Sequence, residues 1–134
     1  MRELRPHLEA EPFLHVVKQL QQEGYTLAFL EAAGQVVTVA GFRIIRALFC
    51  DKLLYVDDLV TLSTVRSKGY GKILLEWLKG HALEAGCAEL HLDSALHRTD
   101  SHRFYERNGV PSSGYRFRAV LKNRVPWRQN AGSI

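Results

Sequence analysis

The chain has 134 residues, of which 46% are hydrophobic and 24% are charged, with a formal net charge of +4 at pH 7. This length predicts one domain over residues 1–134 with a core of its own, and the composition excludes an intrinsically disordered protein. We expect no membrane span and no signal peptide, because no apolar run reaches the length that either requires. The positive charge suits an anionic ligand, and a nucleotide cofactor or a nucleic acid would supply one equally well.

The predicted elements alternate between helical and strand-like periodicity. Phe13, Val16, Val17 and Leu20 recur at helical spacing, and residues 4–10 are expected to form a separate short helix before them. The later elements are strands at Tyr25–Leu30, Val36–Ile45 and Leu53–Leu62, a helix at 71–85, a strand at Ala88–Asp93, a helix at Thr99–Asn108 and a last strand at Tyr115–Leu121. This order predicts a mixed α/β fold with a single sheet, followed by a loose basic tail at 123–134.

Two cysteines, Cys50 and Cys87, are too few for a disulfide framework, and their spacing is not that of a zinc motif. We therefore expect a protein of the reducing cytoplasm. Histidines and carboxylates cluster between His91 and His102, but they have neither zinc spacing nor the Gly-x-Ser-x-Gly turn of a serine hydrolase. We expect no metal, and the milder interpretation is that Ser94 or His97 contacts a substrate or cofactor.

The stretch Val65–Lys72, between a predicted strand and a predicted helix, carries the clearest chemical signal. Gly69 and Gly71 permit close backbone approach, and the following helix begins with unpaired N–H groups. Three cations stand among them: Arg66, Lys68 and Lys72. Such a loop binds a pyrophosphate, and the alternative is an ordinary glycine loop with solvated lysines. The spacing excludes a Walker A loop, and the absence of a third glycine excludes the dinucleotide fingerprint.

Three segments together resemble the GNAT superfamily of N-acetyltransferases. The pattern Arg-x-x-Gly-x-Gly at Arg66–Gly71 resembles its acyl-CoA loop, and Ser101–Val110 is similar to its A-x-x-F-Y-x-x-x-G-F segment. Val56–Thr61 resembles its fourth strand. The resemblance extends over roughly residues 6–121.

This resemblance implies a GNAT-like fold with a single central, mostly antiparallel sheet flanked by helices, and acetyl-CoA as co-substrate. The strands at 53–62 and 88–93 are expected to splay apart, so that the pantetheine arm pairs with strand backbone while the pyrophosphate rests on loop amides. The cofactor-binding residues that it implies are Leu59, Val60, Thr61, Arg66, Ser67, Lys68, Gly69, Tyr70, Gly71 and Lys72.

Catalytic roles follow from the same resemblance. Tyr105 is the expected general acid for the leaving thiolate, and its alternative role is aromatic packing in the core. Asp57 and Asp58 are the expected carboxylates for binding and deprotonating an ammonium group. Asp57 is preferred because it is expected to share a strand face with Tyr55 and Leu59. The alternative is that one carboxylate is exposed and the other caps backbone.

The implied reaction is acetyl transfer from acetyl-CoA to a primary amine, of a small molecule or of a protein, by direct attack in a ternary complex. The alternative is a non-catalytic acyl-CoA-binding sensor or scaffold. The ends of the chain offer little for the family's first and last strands, which predicts curtailed sheet edges and a homodimer. We expect neither nucleic acid nor membrane as a partner, since the sequence has no recognisable nucleic-acid-binding signature.

Overall fold

The computed structural model describes residues 10–66 and 68–122. In chain order the elements are α1 (Ala10–Gln22), β1 (Thr26–Ala32), β2 (Gln35–Ala47), β3 (Asp51–Thr61), a 3₁₀ turn (Ser63–Val65), α2 (Tyr70–Glu84), β4 (Glu89–Leu92) and α3 (Thr99–Arg107). The three longer helices and the first four strands expected from the sequence are present, with bounds that differ by a few residues at most.

The four strands form one mixed sheet in the order β1-β2-β3-β4. The first three pair antiparallel through short turns, whereas β4 runs parallel to β3. A parallel neighbour requires a crossover connection, and α2 provides it. The expected α/β fold with a single, mostly antiparallel sheet is confirmed.

The core lies between α2 and one face of this sheet. On α2 the buried residues recur at helical spacing and are Leu74, Leu75, Leu78 and Ala82. They belong to one cluster with the strand residues Ala40, Phe42, Leu54, Val56 and Leu59 and with Tyr105 of α3. Burial of these side chains at about 25 cal/mol per Å² holds α2 against the strands that it connects.

A β-bulge in β3 changes which side chains reach that core. Gly41 of β2 pairs with Asp58, but the next residue, Phe42, pairs with Val56, which leaves Asp57 as an extra residue. The bulge turns Leu59 into the core beside Val56. The expectation that Asp57 shares a face with both Tyr55 and Leu59 is therefore wrong for Leu59, because strict alternation stops at Asp57.

The strand expected at Tyr115–Leu121 is also wrong, since residues 110–122 have no regular secondary structure. A strand needs a neighbour for its backbone groups, and within residues 10–66 and 68–122 no strand lies beyond β4. The apolar side chains of this segment are exposed, Phe117 by 94% and Leu121 by 91%. Residues 4–9 of the expected short helix and the tail at 123–134 lie outside the described residues, while Ala10 begins α1.

Candidate functional site

Pairing between the two parallel strands stops partway along β3, where β4 ends. Pairing joins Leu53–Val56 to Glu89–Leu92 and ends there, although β3 continues for five more residues to Thr61. The Leu62 amide donates to the Val37 carbonyl on β2. Because strand residues direct their backbone groups alternately to the two sides, those of Leu59 and Thr61 point away from β2, into the opening left by β4. Of the three cofactor residues expected on β3, Val60 thus directs its backbone groups towards β2 instead.

The glycine loop lies at the end of β3, next to this opening. Arg66 folds back so that its Nε donates to the Thr61 carbonyl at 3.1 Å. Gly69 precedes α2 with φ of +82°, a left-handed conformation that favours glycine. The first-turn N–H groups of α2 have no acceptor within the helix, and their partial positive charge attracts an anion. Lys68 and Lys72 are exposed beside them, while Ser67 is not among the described residues.

Gly71 allows α2, β3 and α3 to meet at the loop. A Cβ built on Gly71 would lie 3.4 Å from Thr61 Oγ1 and 3.5 Å from the Phe104 ring of α3. Thr61 Oγ1 is also 3.2 Å from Thr38 Oγ1, and the two hydroxyls share a hydrogen bond. The amides at the start of α2 are therefore held against the end of β3 by contacts on the inner side of the helix.

Tyr105 lies in the core cluster on α3 and is only 4% exposed. Its ring packs edge-to-face against Phe104, with 5.3 Å between centroids. Burial raises the pKa of Tyr105 well above the usual range of a phenol, although nearby Arg98 opposes the shift. The packing role expected of Tyr105 is thus present, and its hydroxyl keeps its proton at neutral pH.

The two adjacent carboxylates of β3 have different surroundings. Both oxygens of Asp57 accept from Arg43, at 2.9 Å from Nε and 2.8 Å from Nη2, in a bidentate ion pair. Asp58 is buried and accepts from the Tyr25 hydroxyl at 2.8 Å. The alternative in which one carboxylate is exposed does not describe this site, because Asp58 is buried and Asp57 is partly buried in an ion pair.

A polar network continues from Asp57 on the face opposite α2. Arg43 lies over the Tyr55 ring, with 5.5 Å from its Cζ to the centroid. The Tyr55 hydroxyl donates to Asp93, the first residue after β4, and Arg116 forms an ion pair with the same carboxylate at 2.5 Å. Sequence reasoning missed both arginines, Arg43 and Arg116. Only the strand register of the structure, in which Arg43 pairs with Tyr55, brings Arg43 next to Asp57.

This network makes the free energy of unfolding sensitive to alkaline pH. Burial and the hydrogen bond to Asp93 raise the pKa of Tyr55 to about 12, from 10.0 for an ordinary phenol. The folded state thus keeps a proton on Tyr55 that the unfolded chain loses near pH 10. The stabilisation that Tyr55 contributes is therefore complete below pH 10 and is lost as the pH rises through about 12. We expect urea titrations between pH 9 and 12 to show a steeper loss of stability for the wild type than for Tyr55→Phe. Equal slopes would contradict this role for Tyr55.

Further polar side chains lie on β4 and on the residues that follow it. Ser94 Oγ exposes less than 1 Å² and has no hydrogen-bond partner among the described residues. His102 Nε2 lies 2.8 Å from the Ala95 carbonyl, and His91 Nε2 lies 2.7 Å from Glu89. Within residues 10–66 and 68–122 no histidine, cysteine and carboxylate group has the arrangement of a metal site.

The described helices are all too short or too polar to cross a membrane. The two cysteines are unpaired thiols, Cys87 buried and Cys50 partly so.

The residues at the opening fit an acyl-CoA. Cations and first-turn amides at Arg66–Lys72 suit its diphosphate, and the outward backbone groups of Leu59 and Thr61 suit its amide-bearing arm. Ser94 Oγ, buried without a partner, is a polar atom that a ligand in the opening would satisfy.

Comparisons with known proteins agree with this geometry. The sequence profile of the acetyltransferase (GNAT) family matches residues 2–110. The uncharacterized N-acetyltransferase YhdJ of Bacillus subtilis is 36% identical over 120 residues, which cover 88% of this chain and 84% of YhdJ. The aminoalkylphosphonate N-acetyltransferase of Salmonella typhimurium is 36% identical over 66 residues, or 49% of this chain and 43% of that protein.

Among solved structures, the fold is similar to that of AAC(6')-Iy in complex with a CoA-containing bisubstrate analog. The TM-score is 0.75 at 20% identity, and the match covers 92% of this chain and 86% of the other. The profile match over most of the chain and the identity to YhdJ establish the relationship, so this chain belongs to the GNAT family of acetyltransferases and is an acyltransferase by class.

Proposed function

We propose that the protein transfers an acetyl group from acetyl-CoA to a primary amine by direct attack within a ternary complex. The observation that carries this proposal is the end of the β3–β4 pairing at Val56 and Leu92, while β3 continues to the glycine loop without β4 beside it. The opening connects the α2 face of the sheet, where Tyr105 lies, with the opposite face, where Asp57 lies. Two reactants that enter from opposite faces would meet in line there, and such positioning supplies much of the rate enhancement that this chemistry needs.

In this proposal the diphosphate binds at Arg66, Ser67, Lys68, Gly69, Tyr70, Gly71 and Lys72, and the pantetheine arm pairs with the backbone at Leu59–Thr61. An outward N–H of this strand would stabilise the oxyanion as the amine attacks. Tyr105 donates its hydroxyl hydrogen towards the departing sulfur. Its buried position on the core side of the opening supports this role.

Asp57 is proposed to bind the ammonium of the acceptor and, through water, to help remove its proton, with Asp58 as the second candidate. Asp57 is the more accessible of the two, and its ion pair with Arg43 fixes its orientation. The same ion pair and that between Asp93 and Arg116 offset much of the acidic charge on this face. An acceptor with both an ammonium and an anionic group is therefore compatible with the site.

The acceptor is proposed to be a primary amine of a small molecule or a protein. The Salmonella relative is named for aminoalkylphosphonates, and the similar AAC(6')-Iy structure contains an acetylneamine analog. Both are amines, which supports this class and selects no single member of it.

The decisive experiment measures coenzyme A binding by calorimetry and then thiol release from acetyl-CoA across a panel of primary amines. Saturable binding together with amine-dependent thiol release would support the transferase. Saturable binding without release for any amine would favour the alternative, a sensor or scaffold that binds acyl-CoA. Absence of heat with coenzyme A would contradict both.

Replacing Tyr105 by phenylalanine is expected to lower kcat by about 100-fold, because general acid assistance typically contributes at least that much. The KM for acetyl-CoA should change little, since the ring and its packing remain. Tyr115→Phe, at an exposed tyrosine, is the matched control and should behave as wild type. Unchanged turnover in Tyr105→Phe would leave Tyr105 only its packing role.

We further propose that residues 1–134 form a single cytoplasmic domain that assembles as a homodimer. The unpaired thiols of Cys50 and Cys87 support the reducing compartment. The exposed apolar side chains of Phe117 and Leu121, together with the short outer strand β4, support pairing with a second copy. Light scattering over a wide concentration range should give twice the monomer mass, and a constant monomer mass would contradict the dimer.

A further inference from the structure

The Ser94 hydroxyl is buried without a partner in the described part of the chain, two residues after the β3–β4 pairing ends. Its Oγ exposes less than 1 Å² and forms no hydrogen bond with any described residue. Leaving such a group without a partner destabilises a folded protein, so native structures rarely contain one without a water, ligand or functional reason.

Strand alternation indicates the side of the opening on which Ser94 lies. Leu90 and Leu92 of β4 pack against the core cluster that contains Tyr105. Asp93 contacts Tyr55 on the opposite face. Continued alternation past the end of β4 would place Ser94 with Leu92 on the face of α2 and Tyr105, the side on which the proposed function places the thioester.

Tyr105 alone is a poor source of the proton that the leaving group takes up. Burial raises the pKa of its phenol far above that of an ordinary thiol, so full transfer of its proton to sulfur is unfavourable. Tyr105 can still donate a hydrogen bond to the departing sulfur. A second hydroxyl donor beside the sulfur would further stabilise its negative charge while the carbon–sulfur bond breaks.

We propose that Ser94 is a catalytic residue whose hydroxyl donates a hydrogen bond to the thioester sulfur of the acyl-CoA. This inference rests on the proposed acetyl transfer. In that reaction the amine nitrogen forms a bond to the carbonyl carbon, the carbon–sulfur bond breaks, and its electron pair goes to sulfur. The proton lost by the amine reaches the sulfur, and Ser94 is unchanged at the end.

The test compares coenzyme A with desulfo-coenzyme A, which lacks the sulfur, in the wild type and in Ser94→Ala. The preference for coenzyme A is the ratio of the Kd for desulfo-coenzyme A to the Kd for coenzyme A. At pH 9.5, where much of the free thiol is ionised, this ratio is expected to fall about 10-fold in Ser94→Ala, because a hydrogen bond to a charged group is lost. Affinity for desulfo-coenzyme A should not change. The exposed Ser112→Ala is the matched control and should keep the wild-type preference.

Two further readouts separate this role from a structural one. Ser94→Ala should keep or raise the Tm of the free protein, because it removes a buried hydroxyl without a partner, while its kcat falls at least about 10-fold. An unchanged preference for coenzyme A over desulfo-coenzyme A, or a Tm lower by several degrees, would overturn the proposal for Ser94. If the wild type binds neither nucleotide, the proposed function itself fails and the role of Ser94 fails with it.

Discussion

Replacing Gly71 by valine is expected to weaken coenzyme A binding by at least about 100-fold, which corresponds to the loss of two hydrogen bonds to a charged group. A Cβ at this position already reaches van der Waals contact with Thr61 Oγ1 and the Phe104 ring. The two γ-methyl groups of valine extend further in the same direction. They would push the first turn of α2 away from β3 and misalign the amides that hold the diphosphate.

A graded series makes this prediction specific. Gly71→Ala should bind coenzyme A nearly as well as the wild type, because its Cβ fits at 3.4–3.5 Å from its neighbours. Gly80→Val lies in the same helix but in open space, and it controls for the lower helix propensity of valine. Calorimetry with coenzyme A measures all three variants. Wild-type affinity in Gly71→Val would refute the placement of the diphosphate at this helix.

Replacing Gly41 by alanine is expected to lower the free energy of unfolding by about 3–5 kcal/mol, similar to the loss of a buried aromatic side chain. A Cβ on Gly41 would lie 1.6 Å from the Tyr25 hydroxyl oxygen and 2.2 Å from its ring carbon Cζ. The ring cannot remain over Gly41, so both its burial and its hydrogen bond to Asp58 would be lost. Urea denaturation measures the change.

A double-mutant cycle with Tyr25→Ala isolates this contact. In that background Gly41→Ala should cost well under 1 kcal/mol, because the ring that it displaces is already absent. Tyr25→Phe should cost about 1.5–3 kcal/mol, which is typical of a hydrogen bond to a charged group. A cost for Gly41→Ala that is equal in both backgrounds would show that the Tyr25 ring is not the obstacle.

This second prediction also concerns the site, because Gly41 pairs with Asp58 beside the bulge at Asp57. The Tyr25 hydroxyl donates a hydrogen bond to Asp58, and Arg43 donates to the adjacent Asp57. A shift of the Tyr25 ring would therefore disturb both carboxylates proposed for the acceptor. We expect Gly41→Ala to reduce turnover even under conditions where the protein remains folded.

Most of the secondary structure followed from local patterns. The helical spacing of Leu74, Leu75 and Leu78 predicted α2, and the β-branched run from Val36 predicted β2, because periodicity reflects the face that each element buries. The segment Tyr115–Leu121 has an equally clear alternation but forms no strand. Alternation reports what a strand would bury, whereas its formation requires an adjacent edge that accepts its hydrogen bonds.

Part of the candidate site was likewise predictable from the sequence, and part of it was not. The glycine and cation spacing of Arg66–Gly71 identified the phosphate loop and the family, because a short contiguous motif contains its own geometry. The surroundings of the carboxylates were not predictable, since Asp57 meets Arg43 and Asp58 meets Tyr25 only across strands. A single extra residue at the bulge decides these pairs, and strict alternation does not anticipate it.

The sequence by itself thus determined the order of elements, the phosphate loop and the membership of the GNAT family, all of which depend on residues close together in the chain. Only the tertiary structure decided which backbone groups of β3 lack a strand partner beyond β4 and that Asp57 and Asp93 are each paired with an arginine. It also decided that the Ser94 hydroxyl is buried without a partner among residues 10–66 and 68–122. The physical reason is that burial, charge pairing and hydrogen-bond satisfaction depend on contacts between distant segments. The local periodicity of a sequence does not predict those contacts.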